Sequence, residues 1–347
     1  MSGDGSIGTG LVTSAPGNLD LKTERGTEIE YGIDASFLND RIGVEFTGYR
    51  KKTSDALVSM GNAPSSGLTG LRYINFGEIT NSGIELGLRG RPVQRENFGW
   101  ESSLTFSTNK NRLDRLSAEV DQIIVYNPYA PTTTPLQLIK VGDPIGAFYG
   151  SDVLRNADGS YDLSETGALQ YGPNEYVGPS LPTHEGALSN TFTIFKNFRV
   201  YALIDFKGGN YLFNQKDRNR AQSTNRNDLA FNDPNNPLTT LDSLYRSGNA
   251  TRPWIQPADF VKFRDLSVSY TLPQQFAGQL GAENVTFTLA GHNLGFISKK
   301  YDGIDPEVNF FGQGNFFTYS SFAQFTRTDS YTLPMTRRLT AAINVNF

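Results

Sequence analysis

The sequence predicts an all-β fold, the portion of an antiparallel transmembrane β-barrel with long loops at one end and short turns at the other. Three observations predict it. The last thirteen residues alternate without a break: Met335, Arg337, Leu339, Ala341, Ile343, Val345 and Phe347 share one face, and Thr336, Arg338, Thr340, Ala342, Asn344 and Asn346 the other. Segments of the same kind recur along the chain, joined alternately by short and long connections, the asymmetry of a barrel with turns inside and loops outside. Aromatics are plentiful, with 24 Phe and 16 Tyr, yet no run approaches the length a spanning helix needs, about 18 apolar residues. A membrane protein made from this chain must therefore cross with strands, because only helices and closed barrels satisfy every backbone group in lipid.

Residues 1–25 read as loop. The opening stretch is Gly and Ser with one acid and lacks the basic start and apolar run of a signal peptide, so an exported form needs residues upstream. The first strand sets Ile29, Tyr31, Ile33, Ala35 and Phe37 against Glu28, Glu30, Gly32, Asp34 and Ser36. A turn over Leu38 to Arg41, carrying Asn39 and Asp40, sends the chain back. The return strand has Ile42, Val44 and Phe46 on one face and Glu45, Thr47 and Tyr49 on the other. Residues 52–77 read as a long polar loop, followed by Ile84, Leu86 and Leu88 opposite Glu85, Gly87 and Arg89. A short connection through Pro92 and Asn97 opens a fourth strand, Trp100, Leu104 and Phe106 against Glu101, Ser103, Thr105 and Ser107.

Residues 113–183 break the rhythm. They hold a Thr/Pro-rich patch from Pro128 to Pro135 and a short run, Ile145 to Tyr149, which parity forbids as a lone crossing. Alternation resumes with Leu188, Phe192 and Ile194, where Asn190 is a blemish on the apolar face. After Lys196 and Asn197 come Phe198, Val200, Ala202, Ile204 and Phe206 opposite Arg199, Tyr201, Leu203, Asp205 and Lys207. A second long loop spans 208–259. Then Leu266, Val268, Tyr270 and Leu272 alternate with Asp265, Ser267, Ser269 and Thr271, and Val285, Phe287 and Leu289 with Thr286, Thr288, Ala290 and His292. A third long loop, 294–334, precedes the terminal strand. The pattern gives about nine spanning strands of roughly ten residues, too few to close antiparallel without a seam, so two edges stay open.

Composition narrows the function classes. No Cys occurs, which removes disulfides, zinc–thiolate sites and thiol nucleophiles. A formal charge of -4 with no block of like sign argues against a nucleic-acid partner. Only two His are present, His184 and His292, far apart and without a nucleophile pattern, so an enzyme is not expected and neither is a cofactor. Asn156, Asp158, Asp162 and Glu165, with Gly159 between them, resemble part of a calcium loop. The first ligand position falls on Leu154, so a polar turn is the default and no metal is expected. Phe310, Phe311, Phe316, Phe317 and Tyr319 are candidates for stacking on sugar rings or for packing against a partner, and His292 is a candidate near the outer end of its strand.

The stretches NLDLKTERGTEIEYGIDASFLNDRIGVEFTGYRKKTSDAL, NFGEITNSGIELGL, FGWESSLTFSTNKNRL, GAFYG, FVKFRDLSVSYTLP, GHNLGFISKKYDGIDPE and PMTRRLTAAINVNF together resemble the C-terminal portion of a SusC/RagA-type TonB-dependent outer-membrane transporter. The resemblance runs from about residue 18 to the end, in the family's order. It implies an approximately 22-stranded barrel with a plugged lumen, importing oligosaccharides or peptides with energy from the TonB complex. It further implies a SusD-like surface lipoprotein over the external loops, and a plug domain and N-terminal strands with no counterpart in residues 1–347. Outer-membrane lipid would surround the wall. The terminal strand, with Leu339, Ile343, Val345 and Phe347, would be the segment offered to the barrel assembly machinery. Two other readings stand beside import: a secreted soluble β-rich carbohydrate-binding protein, and a passive porin-like pore.

Overall fold

The computed structural model describes residues 17–62, 65, 67, 71–117, 121–126, 135–223, 250–308 and 326–347. β1 (Arg25–Phe37) and β2 (Ile42–Gly61) form a hairpin whose turn holds Leu38, Asn39 and Asp40 at positive φ. Asn and Asp tolerate that region because their short side chains bond locally. β3 (Leu71–Arg95) and β4 (Phe98–Thr108) follow, with β5 (Lys110–Leu116) continuing from β4 along β3. A small four-stranded sheet is built from β6 (Gln122–Tyr126), β7 (Gln137–Lys140), β8 (Ala147–Gly150) and β9 (Glu175–Gly178). β10 (His184–Ile194) and β11 (Phe198–Gly208) return to the large sheet. β12 (Tyr211–Phe213) pairs with β13 (Ile255–Pro257), and β14 (Phe260–Thr271), β15 (Asn284–Lys299) and β16 (Arg338–Asn346) complete the wall.

The large sheet is antiparallel throughout and runs β1-β2-β3-β4-β10-β11-β14-β15-β16, with β5 beside it on β3. Those nine neighbours are the nine strands that periodicity predicts, and the Ile145 to Tyr149 run contributes to β8 in the small sheet instead of crossing. The apolar face points away from protein: Ile33, Leu289 and Leu339 are 66%, 66% and 77% exposed. A soluble sandwich would bury that face. Two aromatic groups mark its limits. Toward the short turns, Trp100 stacks on Phe192 at 5.9 Å and Phe198 meets Tyr270 at 4.5 Å; toward the long loops, Phe106 stacks on Phe206 at 6.2 Å. The blemish at Asn190 is resolved there, because the Trp100 indole donates to its Oδ1 at 2.9 Å.

Within the polar stretch 52–77, residues 52–61 and 71–77 are strand and not loop. β2 and β3 run on as a long hairpin to Gly61 and Leu71, and bulges at Thr53 to Leu57 and at Glu78 break the alternation that would have revealed it. Past those bulges the inner side of the sheet changes character. Ala56, Val58, Ile74, Phe76, Leu113 and Leu116 are buried against Ile123, Val125, Ile139 and Phe148 of the small sheet. The main core therefore lies in an external body above the wall. Leu113, fully buried at its centre, is the position to test: Leu113→Ala is expected to cost about 2–5 kcal/mol. The readout is proteolysis of the external body in intact membranes, with cleavage in the wall strands unchanged.

Candidate functional site

The inner face of the wall carries a lattice of charges. Arg89 pairs with Glu45 at 3.3 Å, Lys207 with Glu185 at 3.0 Å and Lys51 with Glu28 at 3.4 Å, each across adjacent strands. A trough of about 520 Å³ lies among Glu45, Glu85, Glu185, Asp205 and Lys207. Strand alternation places these side chains on the face opposite the outward one.

At the external end of β14 the lattice deepens into a buried cluster. Between Phe263 and Asp265 the register shifts, and the extra residue, Arg264, turns inward to donate to Asp205 and, at 2.9 Å, to Glu307. Lys262 is 1% exposed; its ammonium sits 3.2 Å from Asp305, 2.8 Å from Glu307 and 4.6 Å above the Phe296 ring. Burial acts to raise the Glu307 carboxyl, but the hydrogen bonds from Arg264 and Lys262 outweigh it and hold it below the ordinary glutamate value. The cluster fastens residues 301–308 to the wall. A second anchor joins Tyr301, Asp329 and Lys216: the phenol donates to Asp329 at 2.9 Å, and Lys216 lies 3.3 Å from the same carboxylate. Burial and the Asp329 charge push the Tyr301 phenol up.

The external body docks on the wall through an amide. Asn111 donates to Asn81 at 2.8 Å and accepts from the Ile145 backbone at 2.7 Å, while the Leu113 backbone donates to Asp143 and accepts from Gly142, each at 2.9 Å. Beside this contact is a cavity of about 620 Å³, with Asn81, Asn109, Asn111, Tyr176, Pro144 and Leu181 in its lining. Its lining thus combines amides with ring carbons.

Geometry of this kind, a lipid-apolar outer face and a charged inner face under a folded external body, belongs to receptor barrels. A family model described as TonB dependent receptor-like, beta-barrel matches residues 1–294. The chain belongs to the TonB-dependent receptor β-barrel family. Barrels of this family lie in the outer membrane. TonB-dependent receptor P3 of Formosa agariphila is 24% identical over 362 residues, spanning 97% of this chain and 36% of the relative. TonB-dependent receptor P26 of the same organism is 26% identical, with 98% and 36% covered, and TonB-dependent receptor SusC of Bacteroides thetaiotaomicron is 24% identical, with 84% and 30% covered. The chain thus spans about a third of the length of these relatives. Among solved structures, the RagAB peptide importer in its closed-closed state superposes with a TM-score of 0.76 at 20% identity, covering 99% of this chain and 37% of that one.

In this TonB-dependent receptor barrel, His292 lies on the inner face as expected and is held by Asp265, with Nδ1 2.8 Å from Oδ1. Phe310, Phe311, Phe316, Phe317 and Tyr319 lie outside the described residues. Asp158 accepts from both the backbone and the hydroxyl of Ser160, and Asn156 bonds Ser160 and Tyr161, so those oxygens close a polar turn; Asp162 and Glu165 do not join them in any cluster of three metal-ligating groups among the described residues. Leu339, Ile343 and Val345 face outward beside β15, and Phe347 is 86% exposed. The sequence reading missed the cluster around Lys262. Its one local signal is the mismatch of Lys262 and Arg264 with strict alternation, which marks a bulge once the neighbouring strands are known.

Proposed function

We propose that this chain forms the C-terminal wall and external loops of an energised outer-membrane importer. Its solutes are those too large for porins, oligosaccharides or peptides. The reading rests on one observation: a charged inner face continues beneath an external body docked on the wall at Asn111 and Leu113, and beside it residues 301–308 are held to the wall by buried ion pairs, an arrangement that favours a substrate-handling mouth over a plain pore. A plug, a TonB-contacting segment, a SusD-like surface lipoprotein as lid, and assembly of the terminal strand by the barrel machinery belong to the same proposal. Catalysis is not part of the proposal.

Uptake of labelled oligosaccharides and labelled peptides by cells carrying the intact receptor tests it. Discharging the proton gradient is expected to lower uptake of one class at least tenfold. Uptake that persists unchanged points to a passive pore, and recovery of the protein in the aqueous fraction without detergent overturns the membrane reading.

A further inference from the structure

Above the outer aromatic group, the outward face of the wall turns basic in one place. On β2 the outward residues Val44, Phe46 and Gly48 are followed by Arg50 and Lys52, and on the β4–β5 strand Leu104, Phe106 and Thr108 are followed by Lys110 and Arg112. Register brings them together. Arg50 is opposite Ser82, and Ser82 opposite Lys110; Lys52 is opposite Thr80, and Thr80 opposite Arg112. The two rows therefore span three neighbouring strands, with a hydroxyl between two cations in each.

The rows differ in how their charge is met. Lys52 lies 2.8 Å from Glu78 and Arg112 lies 3.3 Å from Asp114, so the outer row is neutralised by the sheet itself. Arg50 and Lys110, both exposed, have no carboxylate partner among the described residues. Each stands four residues beyond the last outward aromatic of its own strand, Phe46 or Phe106, or about 13 Å along the strand and about 10 Å along the membrane normal at the usual tilt. Hydrocarbon has ended at that height and headgroups begin. Strands two apart are separated by about 10 Å, a gap that converging Arg and Lys side chains bridge around one tetrahedral anion.

The wall strands also part there. β10 pairs β4 only as far as His184 opposite Thr108, and beyond it the far edge of β5 is met not by a wall strand but by backbone bonds of Leu113 with Gly142 and Asp143. Ser82, Lys110 and Arg112 border the 620 Å³ cavity on this side, with Pro182 opposite. Bulky headgroup sugars attached to the phosphate would find room beside the cations.

We propose that Arg50 and Lys110, with the Ser82 hydroxyl between them, bind the phosphate of an anionic outer-leaflet lipid and fix the wall's depth and rotation in the membrane. This rests on the membrane-spanning reading above. The test is native mass spectrometry of the receptor purified whole in detergent, offered lipid A, dephosphorylated lipid A and phosphatidylcholine. Wild type is expected to retain lipid A at least tenfold over the other two, and the double variant Arg50→Gln, Lys110→Gln to lose that preference. Lys51→Gln, on the inner face, is expected to keep it. Equal retention of lipid A by wild type and double variant overturns the proposal while leaving the membrane reading intact. Retention of none of the three lipids by a wild type that needs no detergent overturns both, and loss of the preference in Lys51→Gln shows a nonspecific charge effect and also overturns it.

Discussion

Replacing Lys262 by Met is expected to release residues 301–308 from the wall. The ammonium is the cation that Asp305 faces, and Asp305 is itself almost fully buried. Glu307 keeps Arg264, but Arg264 already serves Asp205. Removing one partner from a buried pair leaves a desolvated charge, which costs about 3–5 kcal/mol. Carried into the local opening equilibrium, that raises the open population by at least about a hundredfold. Tryptic cleavage after Lys299 and Lys300 reads it, since proteolysis follows the open population when opening is fast. The triple variant Lys262→Met, Asp305→Asn, Glu307→Gln is expected to recover most of the protection, because no bare charge remains buried. Cleavage unchanged in the single variant would show that the cluster does not hold this segment. Acid should act in the same direction. Glu307 is held below its ordinary value, so its contribution is fully present above about pH 4.3 and is lost as pH falls through the lowered folded value.

The second large effect is expected on the lipid face of the terminal strand. Leu339 stands opposite Gly291, which stands opposite Leu266, in the middle of the apolar band that β14 presents between Val261 and Tyr270. Arginine at mid-depth in a barrel's lipid face costs about 2–4 kcal/mol and near an interface about 0–1. Leu339→Arg is therefore expected to be the most destabilising, Ile343→Arg intermediate and Val345→Arg the mildest. Urea unfolding of the intact receptor in lipid vesicles gives the order. A flat or reversed series would mean that this face does not meet hydrocarbon. A related, smaller loss is expected from Trp100→Phe, which takes away the donor that satisfies the outward Asn190.

How much of this could be read without coordinates follows from where periodicity survives. Along Ile42 to Glu45, Leu86 to Arg89 and Phe198 to Lys207, one side meets lipid and the other water, so the two-residue repeat is written directly into residue type. Above the membrane the same strands lose that contrast. Ile79 and Leu113 take the inner side that Glu85 and Ser107 take lower down, because a packed body has replaced water there. With bulges added at Thr53 to Leu57 and at Glu78, residues 52–61 and 71–77 resemble loop in sequence and are strand in fact. The ionic cluster was hidden for a different reason: Lys262 and Arg264 are ordinary surface residues by type, and only the return of residues 305–307 from after β15 encloses them. For the calcium-like stretch the residues were legible but ambiguous, and the hydrogen bonds of Asp158 to Ser160 show a turn.

Because β2 and β3 pass from bilayer to external body as continuous strands, no flexible joint separates the two along them. A lid or solute that pushes on the body loads the membrane-embedded staves directly. Tilting of the mouth and tilting of the wall are then one mechanical mode on this side of the receptor.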